Sequence, residues 1–358
     1  MVLAESRSEV YTCYDHRPQT KEGEEMKAKI KFLPLLLAMI VLFVTSAFAT
    51  KQYTVVKGDT LWSIARRYGV DWTEIASFNG IENEYSLKVG TILKIPHSFS
   101  EQTVLITNGD HEIPAVVCMP DGDGPFPAVV MLHGTGSNKD EAGGGYLLTA
   151  PALAKAGIAS IRFDFIGNGD SKADYINYNF TSAVSDTNAA FDYMAGLKSI
   201  DPNRIGVMGW SQGGTIAMLA AGHNRSFRSV VCWAGAPDLK LIGTAENYEI
   251  AKANGYYELT FDWRPSLKLG LQWFEEVYNT DVLQVFSNSS APVLAINGAM
   301  DTVVDPVNAQ RIVDASSNKN SRVLLIEGAD HTFNIFTGDM TAFNKLIAAT
   351  VDWFADTL

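Results

Sequence analysis

The chain has 358 residues, with 40 acidic against 28 basic side chains and a formal net charge of −12. This length allows about two domains, because single hydrophobic cores stop growing well below it. The acidic balance argues against binding to nucleic acid, and a hydrophobic fraction of 47% excludes a disordered chain.

The N-terminal part of the given sequence has the pattern of a targeting segment. A basic start precedes an apolar run over residues 32–44 and the triplet Ala-Phe-Ala at residues 47–49. This pattern predicts a secretory signal peptide over residues 26–49, and hence a secreted, periplasmic or wall-associated protein. An uncleaved membrane anchor is the alternative, although the apolar run is short for one. We interpret residues 1–25 as a non-native upstream extension, with Met26 as the translation start.

The cysteines give no sign of a disulfide or a metal site. Cys13 precedes the leader, and Cys118 and Cys232 each lie in an apolar strand-like run. Such thiols are usually buried core residues. No cluster of Cys and His has the spacing of metal ligands. We therefore expect no metal and no other cofactor.

Residues 52–96 have the pattern of a small separate domain. A short strand at Tyr53–Val56 precedes an amphipathic helix that opens at Leu61. A second helix is predicted at Trp72–Phe78, and a strand returns over Leu87–Pro96. The order of elements is therefore strand, helix, helix, strand.

This unit resembles a LysM domain over its whole length. The resemblance rests on Tyr-Thr-Val-x-Lys-Gly-Asp-Thr-Leu-Trp-x-Ile-Ala from Tyr53 and on Leu-x-Val-Gly-Thr-x-Leu-x-Ile-Pro from Leu87. It implies a βααβ fold that binds glycans containing N-acetylglucosamine, such as peptidoglycan or chitin. By this resemblance the sugar contacts two loops, formed by Gly58, Asp59, Thr60, Asn79, Gly80 and Ile81. A purely structural role as a spacer stays open.

A linker is predicted at residues 97–102, and strands alternate with helices over residues 103–358. The predicted strands are Thr103–Thr107, Ile113–Met119, Pro127–Leu132, Ile158–Phe163, Arg204–Gly209, Arg228–Trp233, Pro292–Asn297 and Arg322–Glu327. The predicted helices are Tyr146–Ala156, Ser182–Leu197, Thr215–Ala221, Val307–Ala315 and Thr341–Phe354. After an opening antiparallel pair, this alternation predicts an α/β fold with a mostly parallel sheet covered on both faces. Ligands of such sheets bind at the carboxyl ends of the strands.

The segment Gly-Trp-Ser-Gln-Gly at residues 209–213 lies at such an end. It follows an apolar strand and leads into helix-forming sequence, which is the context of a nucleophile elbow. The sharp turn pushes the hydroxyl of Ser211 out of the sheet edge and needs small neighbours, which Gly209 and Gly213 provide. We therefore predict Ser211 as a nucleophile, which requires a base and a group that orients the base.

The base and the acid should follow the serine in the order acid, histidine. His331 directly follows a predicted strand, whereas His223 lies at the end of the helix that the elbow starts. Asp301 is the first acid after the preceding strand, and its rival Asp305 precedes a proline and caps a helix. Asp330 adjoins the histidine, but adjacent side chains point apart. We predict His331 as the base and Asp301 as its orienter.

Two backbone N–H groups should stabilise the oxyanion. One is that of Gln212, directly after the nucleophile. The other is that of Thr135, in the His-Gly-Thr-Gly loop after the Pro127–Leu132 strand. His133 in the same loop is interpreted as structural, because the predicted triad already has its base.

At this point residues 103–358 resemble the α/β-hydrolase superfamily. The motifs are His-Gly-Thr-Gly at 133, Arg-Phe-Asp-Phe-Ile-Gly-Asn-Gly-Asp-Ser at 162, Gly-Trp-Ser-Gln-Gly-Gly at 209, Asp-Thr-Val-Val-Asp-Pro at 301 and Glu-Gly-Ala-Asp-His at 327. Those at 162 and 327 are similar to bacterial feruloyl esterases. Trp210 and Thr135 stand where those enzymes usually have histidine and an apolar residue. The resemblance also implies a lid at about 238–290, which is rich in aromatic residues that would line an acyl pocket.

The leading hypothesis is a secreted serine esterase held on cell-wall glycan. Its substrate would carry a hydroxycinnamoyl, acetyl or other short acyl group. One alternative is a serine peptidase of the same fold, because no feature of the sequence excludes an amide substrate. The other is a non-catalytic peptidoglycan-binding protein, against which the intact spacing of serine, acid and histidine argues. The sequence leaves the oligomeric state unknown.

Overall fold

The computed structural model describes residues 51–68, 70–83 and 87–358. The predicted upstream extension, the predicted signal peptide and Cys13 lie outside these residues. Within them, no helix has both the length and the apolar character needed to cross a membrane.

The small domain has the predicted order of elements. Its elements are β1 (Lys51–Thr54), α1 (Leu61–Tyr68), α2 (Trp72–Phe78) and β2 (Ile92–Ile95). The two strands pair antiparallel. Ile64 and Ile75 from the helices and Leu93 from β2 are buried together between sheet and helices. The second strand begins later than predicted, because a turn at Gly90, with φ of 88°, precedes it.

The predicted linker at residues 97–102 is too long, because its last four residues belong to a strand. Strand β3 begins at Phe99, which pairs with Pro120, so residues 99–102 belong to the large sheet. Their polar sequence has the character of a loop because this edge strand exposes most of its side chains. The sequence pattern does not reveal this pairing, because it depends on contacts with distant residues. Glu101, for example, forms an ion pair with the buried Arg162.

The predicted α/β fold with a mostly parallel sheet is confirmed for the larger domain. Its strands are β3 (Phe99–Asn108), β4 (His111–Pro120), β5 (Phe126–Leu132), β6 (Ala159–Phe163), β7 (Ile200–Trp210), β8 (Phe227–Trp233), β11 (Val293–Gly298) and β12 (Arg322–Ile326). They lie in the order β12-β11-β8-β7-β5-β6-β4-β3. Strands β3 and β4 pair antiparallel and β4 pairs antiparallel with β6, whereas every pair from β6 to β12 is parallel.

Helices cover both faces of this sheet. They are α3 (Gly145–Lys155), α4 (Phe180–Ala195), α5 (Gln212–His223), α9 (Val307–Ala315) and α10 (Thr341–Thr357). Successive side chains of a strand point to opposite faces, and all seven residues of β5 are buried, so both faces of the sheet must be covered. Two separate hydrophobic cores result, one on each face of the sheet.

The segment predicted as a lid contains more than helices. It comprises α6 (Ala245–Asn254), β9 (Tyr256–Leu259), β10 (Leu267–Gly270), α7 (Leu271–Asn279) and α8 (Val282–Phe286). Strands β9 and β10 form an antiparallel hairpin that the sequence analysis did not predict. The aromatic residues have different roles, because Trp273 and Phe274 are fully buried in the core whereas Trp263 is 67% exposed. We call β9, β10 and their connection, residues 256–270, the inserted hairpin.

Candidate active site

Ser211 lies on a sharp turn between β7 and α5. Its φ of 55° and ψ of −119° are a backbone conformation that non-glycine residues rarely adopt. The glycines on either side are needed sterically, since a Cβ on Gly209 would lie 2.0 Å from the carbonyl oxygen of Gly213. A Cβ on Gly213 would lie 2.1 Å from the carbonyl oxygen of Leu132. The geometry is that of a nucleophile elbow.

His331 and Asp301 are brought together by two adjacent strand ends. Nδ1 of His331 lies 2.8 Å from Oδ2 of Asp301. The carboxylate is buried, and its other oxygen accepts the N–H groups of Val303 at 2.8 Å and Val304 at 2.9 Å. Asn297 donates to Oδ2 at 3.2 Å. These contacts fix the orientation of Asp301 and hence that of the imidazole.

The rival acids have other partners. Asp305 is exposed and accepts the N–H of Val307, the first residue of α9. Asp330 accepts the N–H groups of Thr332 and Asn334 within its own turn. His223 ends α5 and is exposed. The geometry therefore favours Asp301 and His331, whose catalytic roles stay predictions.

The two residues predicted to form the oxyanion hole are in contact. Thr135 Oγ1 donates to Oε1 of Gln212 at 2.5 Å, and Gln212 is fully buried. The loop that holds Thr135 lies beside the nucleophile, since a Cβ on Gly134 would lie 3.5 Å from Cβ of Ser211. The hydroxyl of Thr135 thus ties this loop to the elbow, and the use of the two N–H groups stays a prediction.

Glu141 was missed by the sequence analysis. It is buried, has a φ of 62°, and accepts N–H groups from Gly134 and, at 2.8 Å, from Ala142. Burial raises the pKa of the Glu141 carboxyl, against hydrogen bonds from Ser137 and Gly134 and the nearby charge of His331. Its carboxylate therefore fixes the loop at residues 133–136, which we call the oxyanion loop, through the N–H of Gly134. No motif or periodicity of the sequence distinguished it from Asp140, which directly precedes it.

Trp210 connects the elbow with the histidine loop. Its indole Nε1–H donates to the carbonyl oxygen of His331 at 3.1 Å, and its ring packs near Phe333 and Trp233. This residue, which departs from the histidine usual in feruloyl esterases, therefore positions the predicted base. Sequence alone gave no reason to assign it that role, because the contact spans 121 positions along the chain.

His133 is buried and holds two loops together. Its Nδ1 lies 2.9 Å from the carbonyl oxygen of Gly134, and Nε2 accepts the N–H of Phe165 at 3.2 Å. Burial lowers the pKa of His133 to about 4. The imidazole is thus neutral at pH 7 and uses both nitrogens within the fold, in keeping with the structural role expected.

The thiols are unsuited to nucleophilic chemistry. Cys118 and Cys232 are both free and buried. Burial raises the pKa of each thiol to about 12, so neither forms a thiolate near pH 7. In the described part of the chain, no group of three or more His, Cys, Asp or Glu side chains could hold a metal ion.

Three side chains predicted to contact glycan take part in the folding of the small domain. Asp59 accepts the hydroxyl of Tyr53 at 2.6 Å and the N–H of Val56 at 2.9 Å. Thr60 caps α1 by accepting the N–H of Ser63. Asn79 donates to the carbonyl of Lys94 at 2.7 Å and accepts its N–H at 2.8 Å. These three side chains therefore form hydrogen bonds within the domain.

The backbone of the same loops is sterically accessible. Gly58 and Gly80 have φ of 95° and 63°, and a Cβ on either would meet nothing within 4 Å. Ile81 is half-buried and packs on the small core. A glycan would therefore meet backbone groups at these loops, and the binding role of the six predicted residues stays a prediction.

Comparisons with known families match both parts of the chain. The LysM domain family matches residues 53–96, and the prolyl oligopeptidase family matches residues 149–358. The chain is 31% identical over 146 residues to 2,6-dihydropseudooxynicotine hydrolase of Paenarthrobacter nicotinovorans. That match covers 39% of this chain and 36% of the relative, so the chain spans about a third of that relative's length.

Two further similarities are to a solved structure and to a lipoprotein homolog. The fold is similar to that of Est1E from Butyrivibrio proteoclasticus, in a structure with ferulic acid bound, with a TM-score of 0.58 and 20% identity. That similarity covers 71% of this chain and 98% of the other. A lipoprotein NlpD/LppB homolog of Pseudomonas aeruginosa is 38% identical over 76 residues, which are 21% of this chain and 24% of that protein.

Proposed function

This chain belongs to the prolyl oligopeptidase family of α/β-hydrolases and carries a LysM domain, and from that premise we propose that it is a serine carboxylic-ester hydrolase. The observation that carries the proposal is the 2.8 Å contact between His331 and the buried Asp301, on loops at the sheet edge where Ser211 forms an elbow. A serine, a base and an orienting acid at one edge are the components of acyl transfer.

The proposed mechanism uses a covalent acyl-enzyme. Oγ of Ser211 attacks the ester carbonyl while Nε2 of His331 takes its proton, and Asp301 stabilises the imidazolium that results. The N–H groups of Gln212 and Thr135 bind the oxyanion, which then collapses as His331 protonates the leaving alcohol. Water activated by His331 attacks the acyl-enzyme and releases the acid, which restores the serine.

The acyl group is proposed to be hydroxycinnamoyl, acetyl or another short chain. The inserted hairpin supports this, because it brings aromatic side chains to the loop beside Ser211. The fold similarity to Est1E, whose structure holds ferulic acid, fits the same class of acyl group.

A second candidate function is that of a serine peptidase. The observation that favours it is the family match itself, since that family is named after a peptidase. Ester and amide hydrolysis share the same triad and differ in the leaving group that the base must protonate. Matched ester and amide substrates therefore separate the two candidates.

The LysM domain is proposed to hold the enzyme on peptidoglycan or another glycan with N-acetylglucosamine. The similarity of 76 residues of the chain to an NlpD/LppB lipoprotein homolog supports association with the cell envelope. Secretion through the predicted signal peptide is part of the same proposal. A non-catalytic wall-binding protein would share this anchoring but lack turnover.

The decisive experiment measures hydrolysis of p-nitrophenyl acetate, methyl ferulate and a matched peptide p-nitroanilide by wild type and Ser211→Ala. We expect ester turnover with a burst of p-nitrophenol equal to the enzyme concentration, and its loss in the variant. Faster cleavage of the anilide would favour the peptidase. No turnover of any substrate by folded wild type, with retention on peptidoglycan, would favour the non-catalytic protein.

A further inference from the structure

The connection of the inserted hairpin packs on the oxyanion loop. A Cβ on Gly136 would lie 3.0–3.1 Å from side-chain atoms of Phe261, Arg264 and Leu267. Gly136 follows Gly134, the residue beside the nucleophile, by two positions. Standard backbone dimensions place Nη1 of Arg264 no more than about 17 Å from Cβ of Ser211. A substrate that bridges Ser211 and Arg264 therefore needs to span no more than this distance.

Among the described residues Arg264 has no acidic partner, in contrast to the buried Arg162 on β6. Arg162 lies in ion pairs with Glu101 at 2.6 Å and with Asp140 at 3.0 Å. Arg264 forms no ion pair with any residue in the described ranges, and its one hydrogen bond there runs from Nε to the carbonyl of Pro265 at 3.3 Å. Burial without a partner lowers the pKa of Arg264. The guanidinium is only partly buried and has no carboxylate partner in the described ranges, so its terminal nitrogens are able to donate to a ligand.

Two aromatic rings hold the guanidinium in place. Its Cζ lies 5.7 Å from the ring centre of Phe261 and 5.9 Å from that of Trp263, and the two rings are 5.2 Å apart. Such stacking fixes the plane of an arginine while its terminal nitrogens stay able to donate. Because Trp263 is 67% exposed, this arrangement lies at the surface and is open to a ligand.

A buried hydroxyl lies in the field of the same arginine. Tyr175 is 6% exposed, and among the described residues its hydroxyl has no hydrogen-bond partner. Burial raises the pKa of Tyr175, and the charge of Arg264 opposes that rise. A buried hydroxyl without a hydrogen-bond partner is unusual in a folded protein, because its desolvation is not compensated.

We propose that Arg264 binds a carboxylate on the ester substrate, with the rest of the substrate packed on Phe261 and Trp263. The planar fork of arginine matches a carboxylate with two parallel hydrogen bonds. In a chain of net charge −12, a dedicated cation is what an anionic substrate needs to approach the site. This inference rests on the proposed esterase function and adds the charge class of its substrate.

The test compares charged and neutral esters of matched shape. One pair is p-nitrophenyl hemiglutarate against p-nitrophenyl valerate, and the other is 4-acetoxybenzoate against methyl 4-acetoxybenzoate. The variants are Arg264→Gln and Arg264→Lys, with Lys268→Gln as the control. Lys268 lies on the same hairpin, is exposed and stacks on Tyr256 at 4.7 Å. Its removal changes net charge equally without touching the oxyanion loop.

We expect Arg264→Gln to lower kcat/KM about 10- to 100-fold for the carboxylate ester of at least one pair, the worth of a charge-assisted hydrogen bond. The neutral esters should change less than about twofold, Arg264→Lys should be intermediate, and Lys268→Gln should act alike on both. Equal losses for charged and neutral esters in Arg264→Gln, or no loss, would overturn the proposal.

A binding measurement keeps this inference separate from the esterase proposal. The affinity of 4-phenylbutyrate, which is not hydrolysed, is measured by calorimetry on wild type and Arg264→Gln. Tenfold weaker binding in the variant supports the carboxylate site even if wild type hydrolyses no ester, in which case only the esterase proposal fails. Equal affinity of the two proteins overturns the site.

Discussion

The two domains use their polar side chains differently. In the small domain the polar residues that motif reading assigns to ligand, such as Asp59 and Asn79, are bound within the fold. In the larger domain the buried Asp301 and the partly buried His331 contact each other at the carboxyl edge of the sheet. A unit of fewer than 50 residues has a small core and needs side-chain hydrogen bonds for stability, whereas a large core leaves polar groups for chemistry.

The largest effect should come from the acid of the proposed triad. Asp301→Asn keeps the shape but cannot hold the imidazole in the required tautomer, so kcat should fall on the order of 1,000- to 10,000-fold. Ester hydrolysis with active-site titration measures it. Asp305→Asn is the matched control and should change kcat less than about threefold. The reverse ranking would move the acid to Asp305.

The next effect tests whether Glu141 positions the oxyanion loop. Its carboxylate accepts two N–H groups, and in Glu141→Gln the new amide must face at least one of these donors. We expect kcat to fall about 10- to 100-fold while KM changes less than about twofold. Asp140→Asn, on the neighbouring carboxylate that faces Arg162, should leave kcat nearly unchanged. A rise in KM alone would contradict this role.

A stability effect should come from His133 in acid. Its folded pKa of about 4 lies below the ordinary value of 6.5, so the unfolded state binds more protons between these values. Stability should therefore fall as pH drops through this window, by about 3 kcal/mol in total. Denaturant unfolding of wild type and His133→Gln, which keeps an acceptor but does not titrate, measures it. The same pH slope in both proteins would exclude His133 as the cause.

The smallest effect separates folding from binding in the LysM domain. Asn79→Ala removes hydrogen bonds to both backbone groups of Lys94 and should destabilise the domain by about 2 kcal/mol. Hydrogen exchange of residues in α1 and α2 reports this locally, with the exposed Glu82→Ala as control. Unchanged exchange with lost retention on peptidoglycan would show that Asn79 contacts sugar, against the comparison drawn above.

Local sequence patterns determined much of this molecule. Alternating apolar strands and helices predicted the parallel sheet, and the elbow glycines marked Ser211 because their spacing meets a steric demand within five residues. Strand order, from β7 outward, could then be expected to bring the ends near Asp301 and His331 to one edge. These features depend on contacts between near neighbours, or on a rule shared by all such sheets.

Only the tertiary structure decided what distant residues do to one another. Edge pairing turned residues 99–102 from a linker into a strand, and packing brought Trp210 to His331 and Arg264 to the oxyanion loop. Likewise, no periodicity or motif of the sequence predicted that Glu141 is buried or that it accepts two N–H groups. Periodicity reports which face of an element is apolar, but it does not specify which element will cover that face.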